Sequence, residues 1–256
     1  MQKEDKMPYK ILSSSQTPAL IIYLLDISAS MGTLLGNKRR IDVLSEIFAA
    51  TVKQMAYRST KGSRVLPRYN LALFTYSDDV YDVFNGVKSI TEVINIGLPE
   101  FSPQRTTDTS RAFSAVKKLL QDELPKMDDY PAPLVCHITD GKYTGSDPEP
   151  IVRRIMQMGN SDGNVLVENI FISSQVLNED IRDIYSWQGI TRATQLGSDY
   201  AQKLRSMSSN LPESHRIIMR ENGYGLHAGA VMMIPGDKID FVNMGFVMSV
   251  STPLAT

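Results

Sequence analysis

Three short stretches of the 256-residue chain concentrate oxygen-bearing side chains. "DISAS" sets Asp26, Ser28 and Ser30 at alternate positions behind an apolar run. "TDGKYTG" sets Asp140 behind a second apolar run, and "QRTTDTSRA" brings several hydroxyls together just ahead of a helical pattern. Carboxylates and hydroxyls are hard donors, and no His or Cys stands among them, which argues against zinc or copper. The set suits Mg²⁺, which takes near-octahedral oxygens and keeps some of its waters. Alternate residues of an extended segment point to one side, so Ser28 and Ser30 can offer two neutral oxygens together. Two aspartates balance the charge of a divalent ion and the hydroxyls add none. Such an ion stays electrophilic and can accept one more carboxylate from outside.

The elements around these stretches must bring them together. "ALIIYLL" (19–25) is apolar throughout, the pattern of a central strand covered on both faces, and it ends at Asp26. Apolar residues at three- and four-residue spacing predict a helix over 38–59. A strand over 68–78 follows. "DVYDVF" (79–84) comes too soon for a parallel crossover and predicts a hairpin at an edge. "SITEVINI" (89–96) leans to helix, and 109–124 is a helix stopped by Pro125. Residues 133–139 form a buried strand ending at Asp140. A helix over 147–159 and a strand over 164–174 come next. The order β-α-β-β-α-β-α-β predicts a three-layer, doubly wound α/β fold with a mostly parallel sheet and one antiparallel edge strand. Ligands of such sheets bind beyond the carboxyl ends of the strands. Past residue 175 the pattern predicts one or two helices broken near Pro212. "PGDK" then separates two strand-like runs, read as a β-hairpin. The expected organisation is a polar lead-in (1–18), a core (19–174) and a helical and hairpin elaboration (175–256) completing the same domain.

Composition narrows the function. The chain is 42% hydrophobic and 21% charged, as in an ordinary globular protein. Lys plus Arg total 27 against 28 Asp plus Glu, so no net charge recruits nucleic acid or an anionic membrane. No apolar run reaches the ~20 residues of a membrane span, and the polar start does not read as a signal peptide. The single cysteine, Cys136, lies in an apolar run and reads as a buried small hydrophobe. A cytoplasmic location is expected.

The three stretches resemble the von Willebrand factor type A (vWA) family and its metal-ion-dependent adhesion site (MIDAS). "DISAS" matches that family's D-x-S-x-S, "TDTSRAF" its threonine segment, and "HITDG" its T-D-G, with gaps of roughly 80 and 33 residues between them. The resemblance implies Ser28 and Ser30 as direct metal ligands and Thr107 as a ligand in some states. Asp26 and Asp140 then act largely through bound water. Thr107 is preferred to Thr106 because the family's threonine stands five residues before a small helix residue, here Ala112. The C-terminal segments "LPESHRIIMRENGYGLHAGAVMMIPG" and "GFVMSVSTP" are similar to bacterial cytosolic vWA proteins of tellurium-resistance-type stress or defence operons. Those stand beside a kinase and a phosphatase.

The resemblance implies a non-enzymatic scaffold: a Mg²⁺-dependent protein-interaction module, with Mn²⁺ or Ca²⁺ as substitutes. A partner's Asp or Glu completes the metal shell. One alternative is a metal that only stabilises the fold while partners bind elsewhere. A weaker one is a Mg²⁺-dependent phosphotransferase, which would need a second aspartate two residues after Asp26, where Ser28 stands. The glycines of "NGYGLHAGA" lack the strand and helix of a dinucleotide site. His137, His215 and His227 read as core or surface histidines, Trp187 as a loop anchor, and the methionines of the last quarter as core. Arg105 and Lys142 adjoin the site segments, where they can steer an acidic ligand.

Overall fold

The computed structural model describes residues 8–141 and 143–255. Lys142 and the first seven residues of the lead-in lie outside them.

β1 (Ala19–Asp26) is buried at every position. Its alternate side chains enter two different cores, Ile21, Tyr23 and Leu25 on one face and Leu20, Ile22 and Leu24 on the other. That is why the run shows no polar alternation. β1 lies parallel to β2 (Tyr69–Tyr76) on one side and to β4 (Leu134–Thr139) on the other. β5 (Leu166–Phe171) and β6 (Met233–Pro235) extend the sheet in parallel beyond β4. At the far edge β3 (Val80–Asp82) runs antiparallel to β2, as its short link requires. The pair Lys88–Ser89 continues that edge further along β2. The seven-stranded sheet therefore has the order 3-2-1-4-5-6, with Lys88–Ser89 off the path. The order reverses between β1 and β4, the place where a doubly wound sheet opens its ligand crevice.

Helices cover both faces. α1 (Arg40–Arg58) and α2 (Ile90–Ile96) pack on one, and α3 (Thr109–Glu123) and α4 (Glu149–Ile155) on the other. Ser89 and Glu92 form a capping box that settles α2 as a helix. Beyond β5, α5 (Asp199–Ser206) joins the α3 face, while Met219 of α6 (Glu213–Glu221) reaches the opposite core. Pro212 is the N-cap of α6, so the break expected there is the gap between two helices.

The expected C-terminal hairpin is wrong. Its first run is β6, but the second is the helix α7 (Ile239–Ser249), packed over the sheet on the α1 side. Phe241, Val242, Met244, Gly245, Phe246, Met248 and Ser249 are all buried. Its exposed stripe is short, Ile239, Asp240 and Asn243 with half-buried Val247, and half apolar, so the 3.6-residue signature is weak and the run passes for a strand. "PGDK" is thus a strand-to-helix turn.

The six methionines of this region, Met207, Met219, Met232, Met233, Met244 and Met248, have 0% exposure and fill the core. Cys136 is buried too. Trp187 packs edge-on against Phe241 at 5.2 Å and anchors its loop to α7. Among the described residues no helix is long and apolar enough to cross a membrane.

Candidate metal centre

β1 and β4 end side by side, since Leu25 faces Ile138 in register. Asp26 is the last residue of β1, and Asp140 follows β4 directly. The chain after β1 turns through a 3-10 helix, Ala29–Gly32, pinned by fully buried Met31. This turn brings Ser28 and Ser30 back over the strand ends.

Four expected residues are joined by hydrogen bonds. Asp26 Oδ1 accepts from the Ser28 amide at 2.8 Å. The Ser28 and Ser30 hydroxyls lie 3.1 Å apart, and Ser30 Oγ donates to Asp140 Oδ1 at 2.6 Å. Asp26 has 0% exposure, Ser28 2% and Asp140 8%, whereas Ser30 is open to solvent. Thr107 arrives through its backbone. Gln104 N donates to Ile27 O at 2.6 Å, Asp108 N to Ser77 O at 2.7 Å, and Thr144 N to Thr107 O at 2.9 Å. These bonds tie the segment to the loops after β1, β2 and β4. Thr107 is buried and Thr106 exposed. Among the described residues no hydrogen bond links the Thr107 side chain to the other four.

Two contacts at the site had no counterpart in the sequence reading. Thr139 Oγ1 donates to Asp26 Oδ2 at 2.7 Å from inside the sheet. Arg40, at the start of α1, donates through Nη1 to Asp140 Oδ2 at 2.6 Å. Thr139 sits in the quoted "HITDG", but strand alternation sends it to the opposite face from its neighbour Ile138. Arg40 carries a different signal: three consecutive cations, Lys38 to Arg40, stand where a helix macrodipole disfavours them.

Burial pushes the Asp26 carboxyl up to about 6, against hydrogen bonds from Ser28 and Thr139 that favour the charged form, while Asp140 adds to the rise. A cation at this point removes that penalty. Beneath the site, Tyr76 OH meets His137 Nε2 at 2.7 Å, and His137 Nδ1 meets Asn169 Oδ1 at 2.7 Å. Asn169 Nδ2 donates to Ser208 Oγ and Met207 O, so Oδ1 accepts from His137 Nδ1–H. Burial pulls His137 down to about 4, so the ring is neutral near pH 7 and its Nε2 accepts from the Tyr76 hydroxyl. His215 is buried as well and also drawn to about 4, though its Nε2 finds no partner among the described residues.

The donor set fits a hard divalent ion. Adjacent oxygens around an octahedral Mg²⁺ lie about 3 Å apart, from metal–oxygen distances of about 2.1 Å. The Ser28 and Ser30 hydroxyls are spaced at 3.1 Å. Among the described residues no three His, Cys, Asp or Glu cluster as a metal site, so any ion held here depends on hydroxyl donors. Arg105 is exposed beside the site loops, near Asp78, and Lys142 lies outside the described residues.

The order of the sheet and its antiparallel edge define a vWA/Rossmann-like α/β fold. No protein-family profile matches the chain, and no curated protein sequence matches it. Solved structures do. The PilB minor pilin of Streptococcus sanguinis is similar with a TM-score of 0.52 and 12% identity, over 90% of this chain and 60% of the pilin. An aerotolerance-related membrane protein from Bacteroides fragilis gives 0.51 and 11%, over 89% and 96%. Proximal thread matrix protein 1 from the mussel byssus gives 0.49 and 13%, over 92% of this chain and 47% of that one. The mussel protein has also been solved with a zinc-occupied MIDAS motif, where the match is 0.42 and 19%, over 60% and 38%. The chain thus spans about half of the mussel protein. At these identities the likeness is one of fold.

Proposed function

We propose that this chain is a vWA-type protein-interaction module whose site holds Mg²⁺ and whose partner supplies an Asp or Glu to the metal shell. Asp26, Ser28, Ser30, Thr107 and Asp140 would hold the ion. The carrying observation is the oxygen-only constellation of Asp26, Ser28, Ser30 and Asp140, closed by hydrogen bonds at the switch point between β1 and β4. Two carboxylates meet the charge of a divalent ion, and neutral hydroxyls leave it electrophilic toward a third. The C-terminal resemblance supports a finer assignment, a scaffold for a kinase and a phosphatase in a bacterial stress or defence system. The residue two after Asp26 is a serine, which offers no general acid, so binding is favoured over phosphoryl transfer.

The test is capture of the partner in Mg²⁺ and in EDTA, with wild type and with Asp26→Ala combined with Asp140→Ala. Loss of the partner under both treatments, with the fold retained, is expected. Retention under both sinks the proposal. Metal-dependent hydrolysis of a generic phosphoester that disappears in Asp26→Asn would favour the enzyme instead.

One observation favours the second reading, a structural metal with partners elsewhere. An apolar groove of about 630 Å³ lies at the amino ends of the strands, lined by Tyr9, Leu12, Val165, Leu211 and Ile217 among others. Partner capture that survives EDTA but fails in Ile217→Asp would select it.

A further inference from the structure

Arg40 is placed against its own helix. It is the first residue of α1, where the macrodipole disfavours a cation. Its basic neighbours satisfy themselves along the surface: Lys38 pairs with Glu46 at 2.6 Å and Arg39 with Asp42 at 2.7 Å. Arg40 instead reaches the Asp140 side chain, which is fully covered, while its own side chain keeps 23% exposure. The guanidinium therefore stands between a buried carboxylate and solvent.

Both oxygens of Asp140 are engaged, one by Ser30 and one by Arg40 Nη1. A guanidinium has five N–H donors in a planar fork. Among the described residues the Arg40 side chain makes only the Nη1 contact; Nη2 has no hydrogen-bond partner there and is not buried, so it faces solvent. A carboxylate oxygen that reaches this open N–H gains a charge-assisted bond. The charges point the same way. Asp26 and Asp140 contribute two negative charges and Arg40 one positive. A divalent ion then leaves the site with a net positive charge, set to receive an anion.

We propose that Arg40 is the second anion-binding element of this site. It takes one oxygen of an incoming carboxylate whose other oxygen completes the metal shell. By neutralising Asp140 it also holds the affinity for the ion down until that carboxylate is present, so ion and acidic ligand bind cooperatively. This rests on the metal-site function proposed above. It adds a residue outside the three motif segments and a reason for the partner's acidic group to be bidentate.

The experiment uses the full chain, Mn²⁺ as the probe ion and acetate as the probe anion. Mn²⁺ affinity is followed by electron paramagnetic resonance, and acetate by Mn²⁺-induced broadening of its methyl proton signal. Arg40→Gln is expected to bind Mn²⁺ about tenfold more tightly, because a neighbouring cation is gone. The same variant should bind acetate about fivefold or more weakly, within the usual range of coupling between sites. Arg40→Lys keeps the charge without the fork, so its Mn²⁺ affinity should stay at the wild-type level while acetate weakens. Opposite changes for ion and anion are the signature. A merely structural role weakens both together with a fall in Tm and overturns the proposal. So does tighter Mn²⁺ with unchanged acetate, or an unchanged Mn²⁺ affinity in Arg40→Gln. Should Arg40→Gln fail to fold, equal acetate binding by Arg40→Lys and wild type overturns it. In all these cases Mn²⁺ binding by wild type leaves the metal site itself standing. No Mn²⁺ binding by wild type removes both.

Discussion

Asp26 and Glu168 are both carboxyls with 0% exposure, and they differ in what surrounds them. Asp26 accepts two close hydrogen bonds from Ser28 and Thr139. Neither oxygen of Glu168, in the middle of β5, has a partner within hydrogen-bonding distance among the described residues. Burial pushes Glu168 well above the carboxylate range, and the Cys136 thiol beside it lowers it only in part. Glu168 thus keeps its proton in the folded protein while the unfolded chain loses it. Its pKa is raised on folding, so the stability it contributes is complete below the unfolded value and is lost as pH rises toward the folded one. In the pH range above the unfolded carboxylate value of about 4.3, wild type should lose stability relative to Glu168→Gln as pH rises. Urea unfolding across that range measures it, and parallel stability curves for the two proteins would contradict it. At this scale the candidate oxygen donors were legible because their types are the chemistry. Arg40, Thr139 and the His137–Asn169 pair were not, because each acts on a residue distant in the chain or in an adjoining strand.

Strand β1 followed from its unbroken apolar run, the edge hairpin from its short link, and helices α1 and α3 from the period of their buried faces. Helix α7 did not, because its exposed stripe is short and half apolar, Ile239 and Val247 standing beside Asp240 and Asn243. One contact makes that helix testable. A Cβ added at Gly245 would sit 2.4 Å from Ile170 Cδ1 and 2.6 Å from Cγ1, inside the packed sheet–helix layer. Ile170 is fully buried and stiff at its branch, so it cannot swing clear. Gly245→Ala should therefore destabilise by about 1–3 kcal/mol, despite the better helix propensity of alanine. Adding Ile170→Val, which removes Cδ1, should recover part of the loss. A hairpin at this position would show neither effect in chemical denaturation. The short helices α5 and α6 were foreseen only loosely. Each spans two turns or so, and only tertiary packing fixes such ends.

The whole molecule is a sheet whose order brings three loops to one place. A divalent ion there would cross-link the segments after β1 and β4 with the one before α3. Ligand binding stabilises by mass action, about 2.7 kcal/mol at a hundredfold excess over Kd. For a chain of this size Mg²⁺ should raise Tm by several degrees, at about 2–4 °C per kcal/mol. EDTA should reverse the shift, and Asp26→Asn with Asp140→Asn should abolish it. A Tm indifferent to Mg²⁺ in wild type would leave the loops held by their own hydrogen bonds. The fold class was readable from the order of elements. The convergence of the loops was readable only through that order, since the site residues are spread over more than a hundred positions.

The most direct test of the central claim is a Mn²⁺ titration followed by electron paramagnetic resonance, on wild type and on Asp26→Asn with Asp140→Asn. The account predicts one tightly bound ion per chain in wild type and none in the variant, with the same circular dichroism spectrum for both. Binding that survives in the folded variant, or its absence in wild type, would contradict it.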